Sequence, residues 1–125
     1  MQLATLRSIE PTEAPSLAPD DRPIDLVHLA RMTLGERSLE REVLQLFDRQ
    51  STLLLGRMRV APPANVGTFA HTLKGSARGI GAWRVARAAE ALEAADATEA
   101  GAALDRLAAV TQEACAVIAE LLRAN

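Results

Sequence analysis

Apolar residues recur at steps of three and four positions along four successive stretches of this chain. Such spacing places them on one side of an α-helix, whereas a half-buried β-strand alternates apolar and polar residues. Helix-favouring Ala, Leu, Arg and Glu are abundant, and aromatic residues make up only 2% of the chain, so extended β-structure is disfavoured. Four amphipathic helices joined by short turns predict an all-α fold, an antiparallel four-helix bundle.

Prolines and glycines mark the predicted boundaries of the helices. Residues 1–22 contain three prolines and no apolar period, and they predict a flexible N-terminal tail. Residues 23–125 form the predicted bundle domain, which starts with a short extra helix that ends near residue 32. The longer helices are predicted over about residues 36–59, 63–79 and 82–95, and from about residue 102 onward.

The buried faces of these helices can be predicted in part. The short first helix is expected to bury Leu26, Leu29 and Ala30. Thr33 and Glu36 have capping-box spacing, a side-chain oxygen followed three positions later by Glu, which predicts that the second helix begins there. The expected stripe of the second helix comprises Leu39, Val43, Leu46, Phe47, Gln50, Leu53, Leu54 and Met58. The expected stripe of the last helix comprises Leu104, Leu107, Thr111, Ala114, Ile118 and Leu121.

The third long segment, residues 63–79, carries a histidine on its outer side. On a helical wheel of about 100° per residue, His71 lies about 150° from the centre of the core face and is expected to point to solvent. Gly67 lies one turn before His71 and Gly75 one turn after it, while Lys74 and Arg78 flank the same face. The predicted core face comprises Val66, Phe69, Ala70, Leu73, Ala77 and Ile80.

These residue types favour phosphoryl chemistry. A neutral imidazole is a competent nucleophile near pH 7, because its unperturbed pKa is about 6.5. Lys74, the single lysine of the chain, reaches the same face and would balance the charge of phosphoryl oxygens. A glycine inside a helix costs about 1 kcal/mol relative to alanine. Gly67 and Gly75 therefore predict the close approach of a partner surface.

Residues 71–81 carry a family resemblance. They read HTLKGSARGIG and match every fixed position of H-x-L-K-G-(S/A)-(S/A)-x-x-(L/I/V)-G, the signature of histidine phosphotransfer (HPt) domains. The flanking segments are similar too: residues 87–93, which end Ala-Leu-Glu, resemble the helix that follows the motif. The likeness covers about residues 24–123.

The resemblance implies a phosphocarrier rather than an enzyme. Such a domain receives a phosphoryl group from the receiver domain of a hybrid histidine kinase and passes it to the aspartate of a response-regulator receiver. The Mg²⁺ of that exchange belongs to the receiver, so no cofactor of its own is expected. The implied phosphoacceptor is His71, with Lys74 as the phosphoryl-stabilising residue and Gly75 as the access residue. Wheel geometry adds Gly67 and Arg78 to the expected receiver-docking surface.

Composition bears on partners and location. The formal net charge is only −2, so binding to nucleic acid is not expected. The sequence contains no apolar run of about 18 residues and no secretory pattern at its N-terminus, so we expect a cytoplasmic protein that does not cross a membrane. We expect a monomer.

Two other residues are not expected to carry chemistry. His28 lacks a lysine three positions later and is not expected to carry phosphate. Cys115 is expected to pack as a small apolar residue.

Two alternative functions remain open. The chain could be a helical interaction module that carries no phosphate, although loss of the histidine or the lysine would be expected there and both are present. It could also be a detached phosphoacceptor domain of a histidine kinase, including the chemotaxis type. A dimerising phosphoacceptor domain would form a tight dimer through two long helices, so a measured mass in solution separates it from a monomeric carrier.

Overall fold

A computed structural model describes residues 22–124, and all regular secondary structure within that range is helical. The predicted all-α class is therefore confirmed, and the helix bounds agree with the predicted ones to within a few residues. The predicted tail, residues 1–22, lies outside the described residues apart from Arg22. In chain order the described helices are α1 (Leu26–Met32), α2 (Arg37–Val60), α3 (Pro63–Ile80), α4 (Trp83–Ala94) and α5 (Ala100–Ala124).

The four longer helices contact one another in a closed cycle. Helix α2 packs on α3, α3 on α4, α4 on α5 and α5 on α2, while α1 packs on α3. The Arg41 guanidinium donates a hydrogen bond of 2.9 Å to the carbonyl oxygen of Leu122, whereas Ser51 Oγ lies 3.5 Å from Cys115 Sγ. Higher-numbered residues of α2 thus meet lower-numbered residues of α5, as expected for neighbours that run in opposite directions.

The core lies inside this cycle and is lined by large aliphatic side chains together with many alanines. On α4, Ala86, Ala88 and Ala89 are buried. Small residues at a helix interface allow the two axes to approach closely, and the contact between α3 and α4 is the most extensive one in the described chain. That close approach positions the end of α4 beside the outer face of α3. The largest fully buried side chains include Phe47, Leu73, Val85, Leu107 and Ile118.

Helix α3 has the orientation predicted from its sequence. Ala70, Leu73, Ala77 and Ile80 are buried, and the remaining members of the predicted core face pack partly against the core. Pro63 occupies the first turn, where its missing N–H leaves no helical hydrogen bond unmade. The outer face of α3 is consequently fixed by the burial of its inner face.

The end of α3 requires glycine. Gly81 caps the helix at φ 79°, and a Cβ added there would lie 2.9 Å from Asp25 Cβ. The Asp25 backbone N–H donates to the Gly81 carbonyl at 2.9 Å, and its carboxylate accepts a hydrogen bond of 2.9 Å from the Trp83 indole. The Trp83 hydrogen bond is the main reason that the pKa of Asp25 lies below its ordinary value. These contacts tie the start of α1 to the joint between α3 and α4.

The capping-box prediction is wrong, because Thr33 ends α1 and does not cap α2. The Thr33 hydroxyl donates a hydrogen bond of 2.8 Å to the carbonyl oxygen of Leu29, one turn back. The chain then passes through a left-handed conformation at Leu34 (φ 55°), and α2 begins after the N-cap residue Glu36. The Thr33 hydroxyl, which was predicted to cap α2, is thus hydrogen-bonded to α1 instead.

The predicted buried faces of α1 and α2 are only partly right. On α1, Leu29 is buried, but Leu26 and Ala30 are exposed. On α2, Leu46 and Leu53 are 55% and 54% exposed, although their spacing fitted the stripe. Steps of three and four residues produce a wide apolar stripe on a helix, and periodicity alone does not decide which edge of that stripe a neighbouring helix covers. The residues that α2 does bury are Leu44, Phe47, Ser51, Leu54, Leu55 and Met58.

Candidate functional site

His71 stands on the outer face of α3, with 69% of its side chain exposed. Gly67 and Gly75, one turn before and one turn after it, carry no side chain beside the ring. Among the described residues, a Cβ at Gly75 would meet no heavy atom within 4 Å. The predicted column of an exposed histidine between two glycines therefore exists, and it leaves the imidazole open to an approaching surface.

Glu93, which lies in the last turn of α4, joins His71 to Lys74. One carboxylate oxygen, Oε2, lies 2.9 Å from His71 Nδ1, and the other, Oε1, lies 2.7 Å from Lys74 Nζ. The Lys74 side chain is only 13% exposed and that of Glu93 25% exposed, so this ion pair is largely covered. Lys74 lies beside His71 as expected, but its ammonium is directed at Glu93.

The charge state of Glu93 bears on which nitrogen of a neutral imidazole carries the proton. The Lys74 ammonium, followed by a smaller contribution from His71, holds the pKa of the Glu93 carboxyl below its ordinary value, although desolvation acts in the opposite direction. An ionised carboxylate can only accept hydrogen bonds, so the proton of the 2.9 Å contact belongs to His71 Nδ1. A neutral ring protonated at Nδ1 has its free electron pair at Nε2. In that form the exposed ring presents its lone pair at Nε2.

Arg78, the other predicted cation of this face, lies on the side of α3 that meets α4. Its guanidinium is 3.8 Å from Glu90 Oε2, and the side chains are 53% and 60% exposed. A pair this long and this exposed is weak, because water screens both charges. Arg78 is thus available to an anionic group of a docking partner.

The opposite side of the site is formed by α2. The Ser76 hydroxyl donates a hydrogen bond of 2.8 Å to Gln50 Oε1, which connects α3 to α2. Leu46 and Leu53 lie four residues before and three residues after Gln50, so the three residues share one helix face, which we term the α2 ridge. Its two leucines are more than half exposed. An apolar depression of about 270 Å³ lies beside Leu46 and extends to Gly79 of α3.

The remaining sequence candidates lie elsewhere. His28 packs edge-on against Trp83, with ring centroids 4.8 Å apart, and Trp83 begins α4 whereas Glu93 lies in its last turn. Cys115 is partly buried, and desolvation is the main reason that its thiol pKa is raised. Within residues 22–124, no three His, Cys, Asp or Glu side chains converge as a metal site would require. None of the helices in that range has the length and apolar character needed to cross a membrane.

Glu93 was not among the site residues predicted from the sequence, although the segment that contains it resembles the helix after the family motif. Glu93 is separated from His71 by 22 positions, and helical spacing within α3 does not reveal it. One signal was available, since the dipole of a helix disfavours a negative charge in its last turn. Glu93 is the next-to-last residue of α4, so it could have been expected to require a cation on a neighbouring helix.

Comparison with protein-family models assigns this chain to a family. The family model described as the Hpt domain matches residues 37–124, which comprise α2 to α5 and include His71, Lys74 and Glu93. The comparisons with curated proteins and with solved structures gave no match. Because the matched segment covers more than half of the 125 residues, this chain belongs to the Hpt domain family.

Proposed function

We propose that His71 Nε2 accepts a phosphoryl group from the aspartyl phosphate of one receiver domain and donates it to the aspartate of another. Hpt domains are phosphocarrier modules that interact with receiver domains in phosphorelays. The observation that carries the proposal for this chain is the 2.9 Å contact of His71 Nδ1 with Glu93, on a ring that is 69% exposed; in the neutral ring this contact leaves Nε2 unprotonated.

The transfer step uses the Nε2 electron pair. Nε2 attacks phosphorus, the bond between phosphorus and the aspartyl oxygen breaks, and the donor leaves as a carboxylate. The product is a phosphoramidate whose ring keeps its Nδ1 proton and so gains positive charge. The Glu93 carboxylate accepts a hydrogen bond from the Nδ1–H group and so stabilises the charged ring. Donation of the phosphoryl group to a second receiver is the reverse of this step and needs the same hydrogen bond from His71 to Glu93. One site can therefore both accept and donate the phosphoryl group.

Lys74 has two anionic neighbours in this scheme. Its ammonium lies 2.7 Å from Glu93 Oε1 before transfer, one turn from the imidazole. A phosphoryl group on Nε2 brings further negative charge to the same face, and a flexible lysine side chain can turn towards it. Lys74 therefore holds Glu93 ionised in the free protein and balances phosphoryl oxygens during transfer.

The surface around His71 would receive the receiver domain. Gly67 and Gly75 allow it to approach the ring, and Arg78 offers a guanidinium at the edge towards α4. The α2 ridge offers exposed leucines at the opposite edge. A contact surface that combines apolar and charged residues is typical of protein–protein interfaces. Receiver docking thus explains both exposed edges of the site.

Several finer expectations belong to this proposal. The closed cycle of helix contacts supports an antiparallel four-helix bundle in which His71 lies near the middle of α3. The partners are a hybrid histidine kinase and response-regulator receivers, and the receiver supplies the Mg²⁺ of the reaction. We propose a cytoplasmic monomer with no cofactor of its own and no binding to nucleic acid.

The decisive experiment replaces His71 by glutamine. The protein is incubated with a phosphorylated receiver, and acid-labile label is measured on wild type, His71→Gln and the control His28→Gln. We expect His71→Gln to lose all label while keeping its melting temperature, because the side chain faces water. His28→Gln should be labelled normally. Label that persists on His71→Gln would refute the assignment, and a stable dimer in solution would favour a detached kinase domain.

A further inference from the structure

A pocket lies beside the phosphotransfer site, where the first half of α3, the end of α4 and the start of α5 meet. Its volume is about 490 Å³, within the range of about 300–1,000 Å³ that is usual for ligand pockets. Alanine, glycine, proline, valine and leucine residues form most of its wall, and we term it the α3–α5 pocket. The wall also includes Gly67 and Glu93, which belong to the phosphotransfer site.

The α3–α5 pocket is continuous with the surroundings of His71. Gly67 lies one turn before His71, which is about 5.4 Å along the axis of α3. Glu93 contacts His71 Nδ1 at 2.9 Å. A standard protein–protein interface covers about 800 Å² of each partner, so a circular one centred on His71 has a radius of about 16 Å. A receiver domain that docks at His71 therefore reaches the edge of the pocket.

The charged residues in the wall of the pocket are two carboxylates, Glu93 and Asp96. Glu93 already has a cation, because Lys74 Nζ lies 2.7 Å from it. Asp96 is exposed, and its Oδ1 accepts hydrogen bonds from Thr98 and from the Glu99 backbone N–H at the start of α5. These hydrogen bonds, that of the Thr98 hydroxyl above all, hold the pKa of the Asp96 carboxyl below its ordinary value, and no cation of the described residues contributes. Asp96 thus offers an ionised carboxylate that no described cation balances.

We infer that the α3–α5 pocket receives a lysine or arginine side chain of the receiver domain that docks at His71, an inference that rests on the proposed function. The aliphatic stem of that side chain lies along the apolar wall, and its cationic end pairs with Asp96. Long basic side chains commonly bury the stem and leave the charged end at the water surface. The pocket suits this arrangement, since its wall is mostly apolar and Asp96 is exposed.

Other occupants match the pocket less well. A phosphate group or an acidic side chain would meet two carboxylates and no cation in the wall. A purely apolar side chain would cover the wall but leave the charge of Asp96 unbalanced. A basic end group at Asp96 does not compete for Glu93, whose two oxygens contact His71 and Lys74. Charge and shape together therefore select a long basic side chain.

The test measures how tightly the full chain binds a receiver. The probe is a fluorescently labelled, unphosphorylated receiver domain, chosen because its phosphorylated form transfers to the wild-type chain, and binding is followed by anisotropy. Asp96→Asn removes the charge but keeps a side chain that can cap α5. Glu120→Gln, which removes an exposed charge near the other end of α5, is the control. We expect Asp96→Asn to weaken binding about two- to fivefold, as for one partly screened ion pair, and Glu120→Gln to leave it nearly unchanged.

A second pair of variants tests whether the pocket is filled. Gly101 lines the pocket, and a Cβ there would meet no heavy atom within 4 Å, so Gly101→Leu should fold and occupy part of the space. Gly56→Leu, at an exposed glycine of α2 outside the pocket, is the control. We expect Gly101→Leu to weaken receiver binding on the order of tenfold and Gly56→Leu to leave it nearly unchanged. Weakening by Gly101→Leu without weakening by Asp96→Asn would indicate an apolar occupant and overturn the proposal.

A double-mutant cycle identifies the receiver residue. Each lysine or arginine around the phosphorylated aspartate of the receiver is replaced by methionine, which keeps an unbranched stem and removes the charge. We expect one replacement to weaken binding to the wild-type chain but to cause no further loss with Asp96→Asn. Absence of such coupling would overturn the proposal, as would equal weakening by Asp96→Asn and Glu120→Gln.

The pocket inference and the proposed function fail in distinguishable ways. If no receiver phosphorylates the wild-type chain, the proposed function is wrong and the pocket inference falls with it. If a receiver phosphorylates His71 but binds Asp96→Asn and Gly101→Leu as tightly as wild type, only the pocket inference is wrong.

Discussion

Replacement of Glu93 by glutamine should show how α4 prepares His71 for reaction. Glutamine has nearly the same shape and keeps an oxygen that can accept the Nδ1 proton. It removes the negative charge that Lys74 and His71 share at 2.7 Å and 2.9 Å. The substitution therefore tests the charge and leaves most of the packing unchanged.

The expected effect follows from the strength of the lost interaction. A hydrogen bond to a charged group contributes about 1.5–3 kcal/mol, and a neutral one contributes about 1 kcal/mol. The charged ring that forms on transfer thus loses about 0.5–2 kcal/mol of stabilisation, which corresponds to phosphoryl acceptance about 2- to 30-fold slower. Glu93 is 25% exposed, and water screens part of its charge, so we expect a value near the lower end of that range.

The assay combines a rate with a spectroscopic measurement. Single-turnover acceptance is measured from a phosphorylated receiver, and ¹⁵N chemical shifts of the His71 ring report its tautomer. We expect wild type to be protonated at Nδ1, and Glu93→Gln to populate the other tautomer as well. Glu90→Gln is the matched control, because Glu90 lies one turn earlier on α4 and pairs with Arg78 at 3.8 Å. It should transfer at nearly the wild-type rate.

Several results would refute this explanation. Wild-type rate and tautomer in Glu93→Gln would show that the carboxylate does not position His71. Equal slowing in Glu90→Gln would indicate a general effect of negative charge on α4. A fall in melting temperature of more than about 5 °C, on the order of 1 kcal/mol for a domain of this size, would show that Glu93 is needed for the fold itself.

The other predictions concern access, charge and acid stability. Gly75→Leu should slow transfer from a receiver on the order of tenfold. Its stability should be unchanged or slightly raised, because a Cβ there meets open space and leucine favours the helix over glycine by under about 1 kcal/mol. Gly56→Leu, at another exposed helical glycine, is the control, and normal transfer by Gly75→Leu would contradict the docking surface. Lys74→Ala should slow transfer and raise the pKa of Glu93, measured by NMR titration, and an unchanged titration would show that the pair is unimportant. The pKa of Glu93 is lower in the folded protein than in the unfolded chain, so its contribution to stability is present above the unfolded pKa and is lost as the pH falls through the folded pKa. Unfolding followed by circular dichroism should therefore be less sensitive to acid in Glu93→Gln than in wild type, and identical acid profiles would contradict this.

The sequence alone determined the helices and the outward orientation of His71. The core face of α3 is continuous and narrow, so its burial fixes the opposite face without knowledge of any neighbour. The same reasoning succeeded for the middle of α5, where Leu107, Thr111, Ala114 and Ile118 are buried as expected. The motif that begins at His71 is likewise local, because its members lie within three turns of one helix. These features depend on interactions between residues close together in the chain.

The tertiary structure decided which groups meet across helices. The hydroxyl of Thr33 could cap either α1 or α2, and the left-handed turn at Leu34 assigned it to α1. The two leucines of the α2 ridge stayed exposed because the neighbouring helices cover only part of a wide apolar stripe. Glu93 lies beside His71 because α4, whose alanines are buried, packs on α3. Helical periodicity describes one helix at a time, whereas the protonation of the His71 ring depends on a carboxylate that only packing brings within hydrogen-bond distance.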